Sequence, residues 1–347
     1  MWLENPVFRE DMEYIASVDF IPWEKLREKT LLITGATGLI GFNFISALTY
    51  MNLHRGLPLK IVALVRDEGK AKERFREIIS AGAPLQFLVG DLEHIPAIEE
   101  KVDYIIHGGS PTASRYFAEH PVETIQMNLT GAANLLEMAR EKQVEGFLFL
   151  SSMEVYGSLH REEKVAEDHE SFVNTMNPRS SYPEAKRMIE AMCSSYCAQY
   201  NVPAKVVRLT QTFGAGVRKT DNRVYAQFMR SALTGEDITL FTKGGTRRSY
   251  LYTADAVTAI LTVMLKGENG EAYNAANDTT YCSIKDMAEL VAEMGNVKVK
   301  IDEHHESNKL YPPELYMNLN TEKIEGLKWC ASTCLQDMFI RMKESME

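Results

Sequence analysis

The chain is poor in the residues that build metal or disulfide frameworks. Its 347 residues include five cysteines, an odd number, and the two close pairs, Cys193/Cys197 and Cys330/Cys334, are spaced i, i+4. That spacing puts both thiols of a pair on one helix face, but no second pair or histidine is placed to complete four ligands. Buried free thiols are expected, with no metal and no disulfide. Positive charge is also in deficit: 38 Lys and Arg face 48 Asp and Glu, a net charge of -10. Repulsion on that scale argues against a general binder of nucleic acid or of an anionic membrane, while a small anionic ligand stays compatible with a local basic patch. No apolar run approaches the ~18 residues of a membrane span. The N-terminus, MWLENPVFREDMEYIASVDF, is acidic and lacks both the basic n-region and the continuous apolar h-region of a signal peptide. A cytoplasmic protein is expected. Repeats and low-complexity tracts are absent as well.

What is present is an alternation of strand and helix patterns. TLLITGATGLIGFNFISALTY reads as a buried strand, a glycine turn and a helix; LKIVALVRD and LQFLVGD are a second and third strand, and VDYIIHGG and GFLFLSS a fourth and fifth, separated by the helical MNLTGAANLLEMAREK. Continuous Val/Ile/Leu runs suit parallel strands covered by helices on both faces, so the fold class is α/β, a doubly wound parallel sheet of Rossmann type. After about residue 208 the elements shorten and loops such as QTFGAGVRKTDNR intervene. The expected division is a helical extension over 1–28, a nucleotide-binding domain over 29–208, and a smaller, mainly substrate-binding region over 209–347 interleaved with the last sheet elements. The role of the extension is not legible.

TGATGLIG places Gly35, Gly38 and Gly41 directly after a strand and at the opening of a helix. Glycines let the backbone turn tightly and approach a pyrophosphate, and the helix N-terminus offers free N–H groups and a favourable dipole. The turn contributes Gly35, Thr37, Gly38, Leu39, Ile40 and Gly41 to the expected NAD(P) site. The second strand ends Val65, Arg66, Asp67, where dinucleotide folds commonly place an acid on the ribose 2′-hydroxyl. Arg66 there suits a 2′-phosphate, so NADP is favoured over NAD. Asp91 and Leu92 follow the third strand, with Asp91 placed to accept from the adenine amine.

SYPEAKR sets Tyr182 and Lys186 at i, i+4, on one helix face, with Pro183 in the first turn and either preceding serine available as a cap. A phenol with an ordinary pKa near ~10 is a poor base at neutral pH. An ammonium one turn away and an oxidised nicotinamide would stabilise its phenolate, and Ser152, at the fifth strand's end, could bond the same substrate oxygen.

Glycine turn, strand-end serine and YxxxK, in that order, resemble the extended short-chain dehydrogenases/reductases, specifically the NAD-dependent epimerase/dehydratase family acting on nucleotide sugars. The resemblance runs from residue 30 almost to the end, through HPVETIQMNLTGAANLLE, VVRLTQTFG, GGTRRSYLYTADAV and NLNTEKIEGLKW. It implies a cofactor role for Asn128, substrate diphosphate contacts for Arg248 and also Arg223, and a homodimer through the helix carrying Tyr182 and its preceding neighbour. Two departures stand out. His107, Gly108, Gly109 and Ser110 replace the family's His-x-Ala-Ala, with Gly109 still permitting close cofactor approach, and Ala254 stands where an acid is usual.

SSMEVYG then separates the reactions. Oxidation of a sugar at C4 by the Tyr/Lys/Ser set acidifies C5–H. By the resemblance, dTDP-glucose-type dehydratases carry Asp-Glu here, and UDP-glucuronate decarboxylases and GDP-mannose dehydratases Ser-Glu; this chain has Met153-Glu154. Methionine cannot protonate a leaving hydroxide, whereas carbon dioxide leaves without a proton. The stretch DNRV, Asp221 to Val224, follows the TFG segment in the manner of the decarboxylases. The expected order is nucleotide-uronate decarboxylase with Glu154 as catalytic carboxylate, then 4,6-dehydratase, then 4-epimerase. A carboxylate that only orients the loop or bonds Tyr156 is the bland reading of Glu154. A non-catalytic NADP-sensing regulator is the alternative of another class, opposed by retention of Ser152, Tyr182 and Lys186.

Overall fold

The computed structural model describes residues 3–110, 114–160, 162–303 and 314–346. It opens with α1 (Pro6–Ser17), where the Asn5 side chain accepts from the Val7 amide and Pro6 takes the first helical position. The Val/Ile/Leu runs then form β1 (Lys29–Thr34), α2 (Leu39–Arg55), β2 (Leu59–Val65), α3 (Glu68–Arg74), α4 (Arg76–Ser80), β3 (Leu85–Val89), β4 (Tyr104–His107), α5 (Ser114–Glu119), α6 (Pro121–Glu141) and β5 (Gly146–Ser152). A 3₁₀ turn at Met153–Tyr156 leads to β6 (Lys164–Val165), a second turn at Pro178–Ser180, α7 (Ser181–Tyr200), β7 (Ala204–Leu209) and β8 (Gln211–Phe213). There follow α8 (Val224–Thr234), β9 (Ile238–Leu240), β10 (Arg247–Tyr252), α9 (Thr253–Lys266), β11 (Ala272–Ala275), β12 (Asn277–Ser283), α10 (Ile284–Gly295), β13 (Val299–Ile301), β14 (Tyr316–Leu319), α11 (Glu322–Glu325) and α12 (Leu335–Ser345).

Seven strands form one parallel sheet in the order β11, β7, β5, β4, β1, β2, β3. The order departs in opposite directions from β1 and β4, which makes the sheet doubly wound and opens a crevice at the carboxyl ends of those two strands. The edge strand β11 comes from residues 272–275, so the chain returns late to complete the sheet. A smaller sheet of β12, β10, β14 and β6, with β8 beside β10, stands next to it.

Helix α9 is mostly apolar and covered on every side, each residue from Thr253 to Leu265 being buried. On its outer side and on α2 lies α1, which buries Val7, Phe8, Met12 and Ile15, each worth roughly 1.5–3 kcal/mol of transfer free energy. The N-terminal extension is therefore part of the core.

Charge accompanies that apolar contact. Asp11 on α1 is buried, yet Arg341 on α12 donates to one of its carboxylate oxygens at 2.7 Å and the Tyr252 hydroxyl to the other at 2.7 Å. Arg341 also donates to the Val7 carbonyl at 3.1 Å and to Glu10 at 2.9 Å. Beside it, Asp255 accepts from the Ser332 and Thr333 amides, both at 3.1 Å, from the Ser332 hydroxyl at 2.8 Å and from the Tyr14 hydroxyl at 3.3 Å. Burial still pushes the Asp11 carboxyl up to about 6, against the pull of Arg341. Both ends of the chain are clasped onto the root of α9.

Candidate active site

At the switch point, Gly35 has φ +72°, and a Cβ there would lie 2.5 Å from the Gly108 carbonyl oxygen. Only glycine lets the turn after β1 meet the loop after β4 so closely. Gly38, the N-cap of α2, has no side chain to cap it, and the helix has no acidic residue in its first turn. The first-turn amides, including those of Leu39 and Ile40, together with half-buried Thr37, form a cradle suited to an anionic pyrophosphate. Gly41 serves packing instead, since a Cβ would sit 2.3 Å from the Gly35 carbonyl oxygen.

The loop after β4 is fixed from two sides. Thr34 Oγ1 accepts from the Gly109 amide at 3.0 Å and pairs with His107 Nδ1 at 2.9 Å. Asn128 accepts from the Ser110 hydroxyl at 2.8 Å and donates to the Thr124 carbonyl at 2.7 Å. Asn128 thus holds the loop with its oxygen while its amide nitrogen is tied back to α6 itself. Arg66 is exposed at the end of β2, and the Asp67 carboxylate beyond it caps α3 by accepting from the Lys70 amide at 3.0 Å. Asp91 uses one oxygen to accept from the Glu93 and His94 amides at 2.9 and 2.7 Å. Leu92 packs on α6, where a Cβ at Gly131 would meet its own Cβ at 2.7 Å.

At the other end of the crevice the four expected side chains come together. Ser152 ends β5, and its hydroxyl accepts from the Glu154 amide at 3.2 Å to start the 3₁₀ turn. Tyr182 and Lys186 share the inner face of α7 and are 7% and 3% exposed. Neither serine caps that helix, contrary to the expectation from sequence: Ser180 donates to the Asn174 carbonyl at 2.7 Å and Ser181 to the Phe117 carbonyl at 3.2 Å. Their hydroxyls tie α7 to neighbouring segments instead.

Burial pushes the Tyr182 phenol well above its ordinary pKa, Glu154 adds to the rise, and a hydrogen bond with Ser152 and the charge of Arg179 oppose it. Lys186 Nζ donates to the Leu150 carbonyl at 2.9 Å and lies 4.5 Å from the Phe149 ring centre and 5.5 Å from that of Tyr182. Burial pulls its pKa down to about 7, with Glu190 one turn on opposing. Glu190 is itself held by Arg208 at 2.7 Å and by the Ser151 hydroxyl at 2.5 Å. An ammonium has three donors, and Leu150 is the one acceptor found for it among the described residues. Nearby, fully buried His107 leaves Nε2 without a partner among the described residues, and burial, then Lys186, push its pKa down to about 3. Lys186 and His107 thus keep hydrogen-bonding capacity that the described residues do not fill.

On the substrate side, Arg223 Nε donates to both Asp221 oxygens at 3.0 Å and its guanidinium lies 5.2 Å from the Tyr225 ring centre. Arg248 donates from Nη1 to Gln211 at 3.3 Å, while its buried Nε meets no partner among the described residues. Met153 turns away from charge altogether. It is buried with Val155, Tyr156, Leu159, Met317 and Leu319, and its sulfur accepts from the Thr210 hydroxyl at 3.3 Å. Sequence reasoning missed Arg179, which binds Glu154, and Gln211, which orients Arg248. Neither contact leaves a spacing signal, because each joins two loops or strands far apart in the chain.

Residues 31–276 match the model of the NAD dependent epimerase/dehydratase family. UDP-glucuronic acid decarboxylase 1 of Danio rerio is 31% identical over 238 residues, 68% of this chain and 54% of that protein. The chain thus spans little more than half the length of that relative. The dTDP-D-glucose 4,6-dehydratase of Bos taurus is 28% identical over 318 residues, 87% of this chain and 84% of that one. Among solved structures, UDP-glucuronic acid 4-epimerase from Bacillus cereus, in complex with UDP-glucuronic acid and NAD, superposes with a TM-score of 0.75 at 17% identity, covering 91% of this chain and 98% of that one. That likeness is one of fold. Among the described residues, no group of three or more His, Cys, Asp and Glu is placed to hold a metal, and no helix is long and apolar enough to cross a membrane.

Proposed function

The chain belongs to the NAD-dependent epimerase/dehydratase family, and from that premise we propose that it decarboxylates a nucleotide-linked uronic acid of the UDP-glucuronate type. The observation that carries this reading is the pairing of Glu154, whose carboxylate is held by Arg179 alongside Ser152 and Tyr182, with a Met153 sealed in an apolar cluster. The position beside Glu154 has no proton to give a leaving hydroxide, so acid-assisted loss of water lacks a donor there. A β-keto acid has no such need: the C5–C6 bond breaks, its electron pair passes into the C4 carbonyl as an enolate, carbon dioxide leaves, and a proton is returned to C5. The relatives from zebrafish and from Xenopus tropicalis, the latter 29% identical over 268 residues, carry the name UDP-glucuronic acid decarboxylase 1.

In this reading Tyr182 removes the proton of the C4 hydroxyl, Ser152 orients that oxygen, and Lys186 supplies the positive charge that favours the phenolate. Bound NAD(P) supplies hydride acceptance at C4 and a positive nicotinamide that lowers the phenol further. The cradle over Gly35 to Gly41 takes its pyrophosphate, with Gly109 and the loop held by Asn128 alongside and Asp91 and Leu92 at the adenine end. Glu154 moves the proton at C5, and Arg223 and Arg248, in the region 209–347, bind the substrate diphosphate. With Asp67 spent as a helix cap and Arg66 exposed, NADP is the preferred form, and tighter binding of NAD by calorimetry would reverse that assignment. Val122 and Ile125 on α6 and Met188 on α7 are 59%, 40% and 54% exposed, an apolar face that a second copy would cover in a homodimer. The bovine relative keeps a 4,6-dehydratase as the second reading.

Product masses decide. Incubation with UDP-glucuronate is expected to give a product lighter by ~44 mass units with release of carbon dioxide, the mass lost when C5–C6 breaks; loss of ~18 from a neutral nucleotide hexose selects the dehydratase, and an isomer of unchanged mass the epimerase.

A further inference from the structure

Arg179 has no part in the reaction as described, yet it binds Glu154 directly and reaches Tyr182 through the ring stacked on it. It stands on the 3₁₀ turn just before α7, where the Asn177 side chain accepts from its amide at 3.0 Å. Nη1 donates to Glu154 Oε2 at 3.2 Å. The face of the same guanidinium lies on the buried Phe117 ring, Cζ 4.2 Å from its centre, and that ring stacks on Tyr182 at 4.8 Å and 13°. A planar cation is suited to this double duty, since one edge takes a carboxylate while the face takes a ring.

Four polar or charged groups surround the phenol: Ser152 at the end of β5, Glu154 on the turn after it, Arg179 on the turn before α7, and Lys186 one helical turn on. α5 contributes the uncharged Phe117. Of these, Glu154 opposes ionisation of the phenol and Arg179 favours it. A carboxylate near a phenol is also a ready hydrogen-bond acceptor for it, and such a bond would hold the proton on the group that has to lose its own before it can accept one from the sugar. Something has to keep the two apart.

We propose that Arg179 is a positioning residue that holds the Glu154 carboxylate off the Tyr182 hydroxyl, so that the phenol keeps Ser152 and the incoming C4 hydroxyl as partners while Glu154 waits for C5. The inference rests on the reading that Tyr182 and Glu154 act in succession on one sugar. It explains why a surface cation is pinned at three points, amide, edge and face. It also explains how a lone carboxylate can sit in this pocket without spoiling the first step.

The test is the pH dependence of cofactor reduction at 340 nm in rapid mixing, using whichever of UDP-glucuronate, dTDP-glucose and UDP-glucose gives the largest signal with the wild-type holoenzyme. Arg179→Gln is expected to move the midpoint of the profile up by about one pH unit and to slow reduction about tenfold at pH 7, since each unit is a factor of ten below the midpoint. Arg179→Lys should recover part of the shift, and Arg179→Gln combined with Glu154→Gln should abolish it. Thermal unfolding of each variant guards against a folding defect. A rate that falls equally at every pH, an unmoved midpoint in Arg179→Gln, or a shift that survives in the double variant overturns the inference. Reduction without release of carbon dioxide sinks the decarboxylase reading alone, and no reduction with any of the three sugars removes both.

Discussion

Two of the places where the molecule buries charge treat it in opposite ways. At the clasp between α1, α9 and α12, Asp11 and Asp255 have a donor on every carboxylate oxygen, and Arg341 reaches four acceptors. At the inner end of α7, Lys186 has one carbonyl for three donors, His107 Nε2 has no partner among the described residues, and Tyr182 has a single serine. A satisfied buried network rigidifies; an unsatisfied one costs stability and marks where a ligand completes it. The difference separates charge that holds the fold from charge that is kept for chemistry, and substitutions in the two places should fail in different ways.

The largest effect is expected from Tyr182→Phe. Loss of the group that accepts the C4 proton should slow cofactor reduction by roughly a hundredfold to ten-thousandfold, read at 340 nm, with the unfolding temperature almost unmoved. Arg341→Ala should do the reverse. It strands Asp11, which is 3% exposed, at a cost of about 3 kcal/mol in denaturant unfolding, while turnover per folded molecule is retained. Lys186→Met should inactivate the enzyme yet stabilise the cofactor-free protein. An unfolded lysine titrates near ~10.4 and the folded Lys186 near about 7, so between those values the unfolded chain binds the extra proton and wild-type stability rises with pH. The variant loses that rise: it should be more stable by on the order of 4 kcal/mol at pH 7 and level with the wild type near pH ~10.5. If Lys186→Met destabilises at neutral pH, the ammonium is better satisfied than its single carbonyl indicates and the contrast between the two regions weakens.

Much of this was legible in the sequence. Five unbroken apolar runs became β1 to β5, and the glycine turn and the i, i+4 pair Tyr182/Lys186 fell where a strand end and a helix start require them. These are local signals, each set by fewer than ten neighbouring residues. The clasp is not local: Asp11 and Arg341 are 330 residues apart, and nothing in either segment's pattern announces the other. For the same reason Arg179, 25 residues from Glu154, was invisible, since two loops bring them together. Side-chain direction was a further blind spot. Ser180 and Ser181 look like helix caps in the sequence, but their hydroxyls turn to carbonyls on other segments, and Asn128 fills its hydrogen bonds with Ser110 and Thr124.

The most direct measurement follows both chemical steps in one variant. Glu154→Gln preserves size and hydrogen bonding and leaves Tyr182, Ser152 and Lys186 in place. Mixed rapidly with UDP-glucuronate, it should still reduce its cofactor and release carbon dioxide in the first turnover, but return of the proton to C5 should slow by roughly a hundredfold or more, the usual worth of a positioned acid or base, so absorbance at 340 nm rises and persists. Decay of that absorbance and steady turnover of Glu154→Gln at the wild-type rate would show that Glu154 only shapes its loop and would contradict the division of labour between Tyr182 and Glu154.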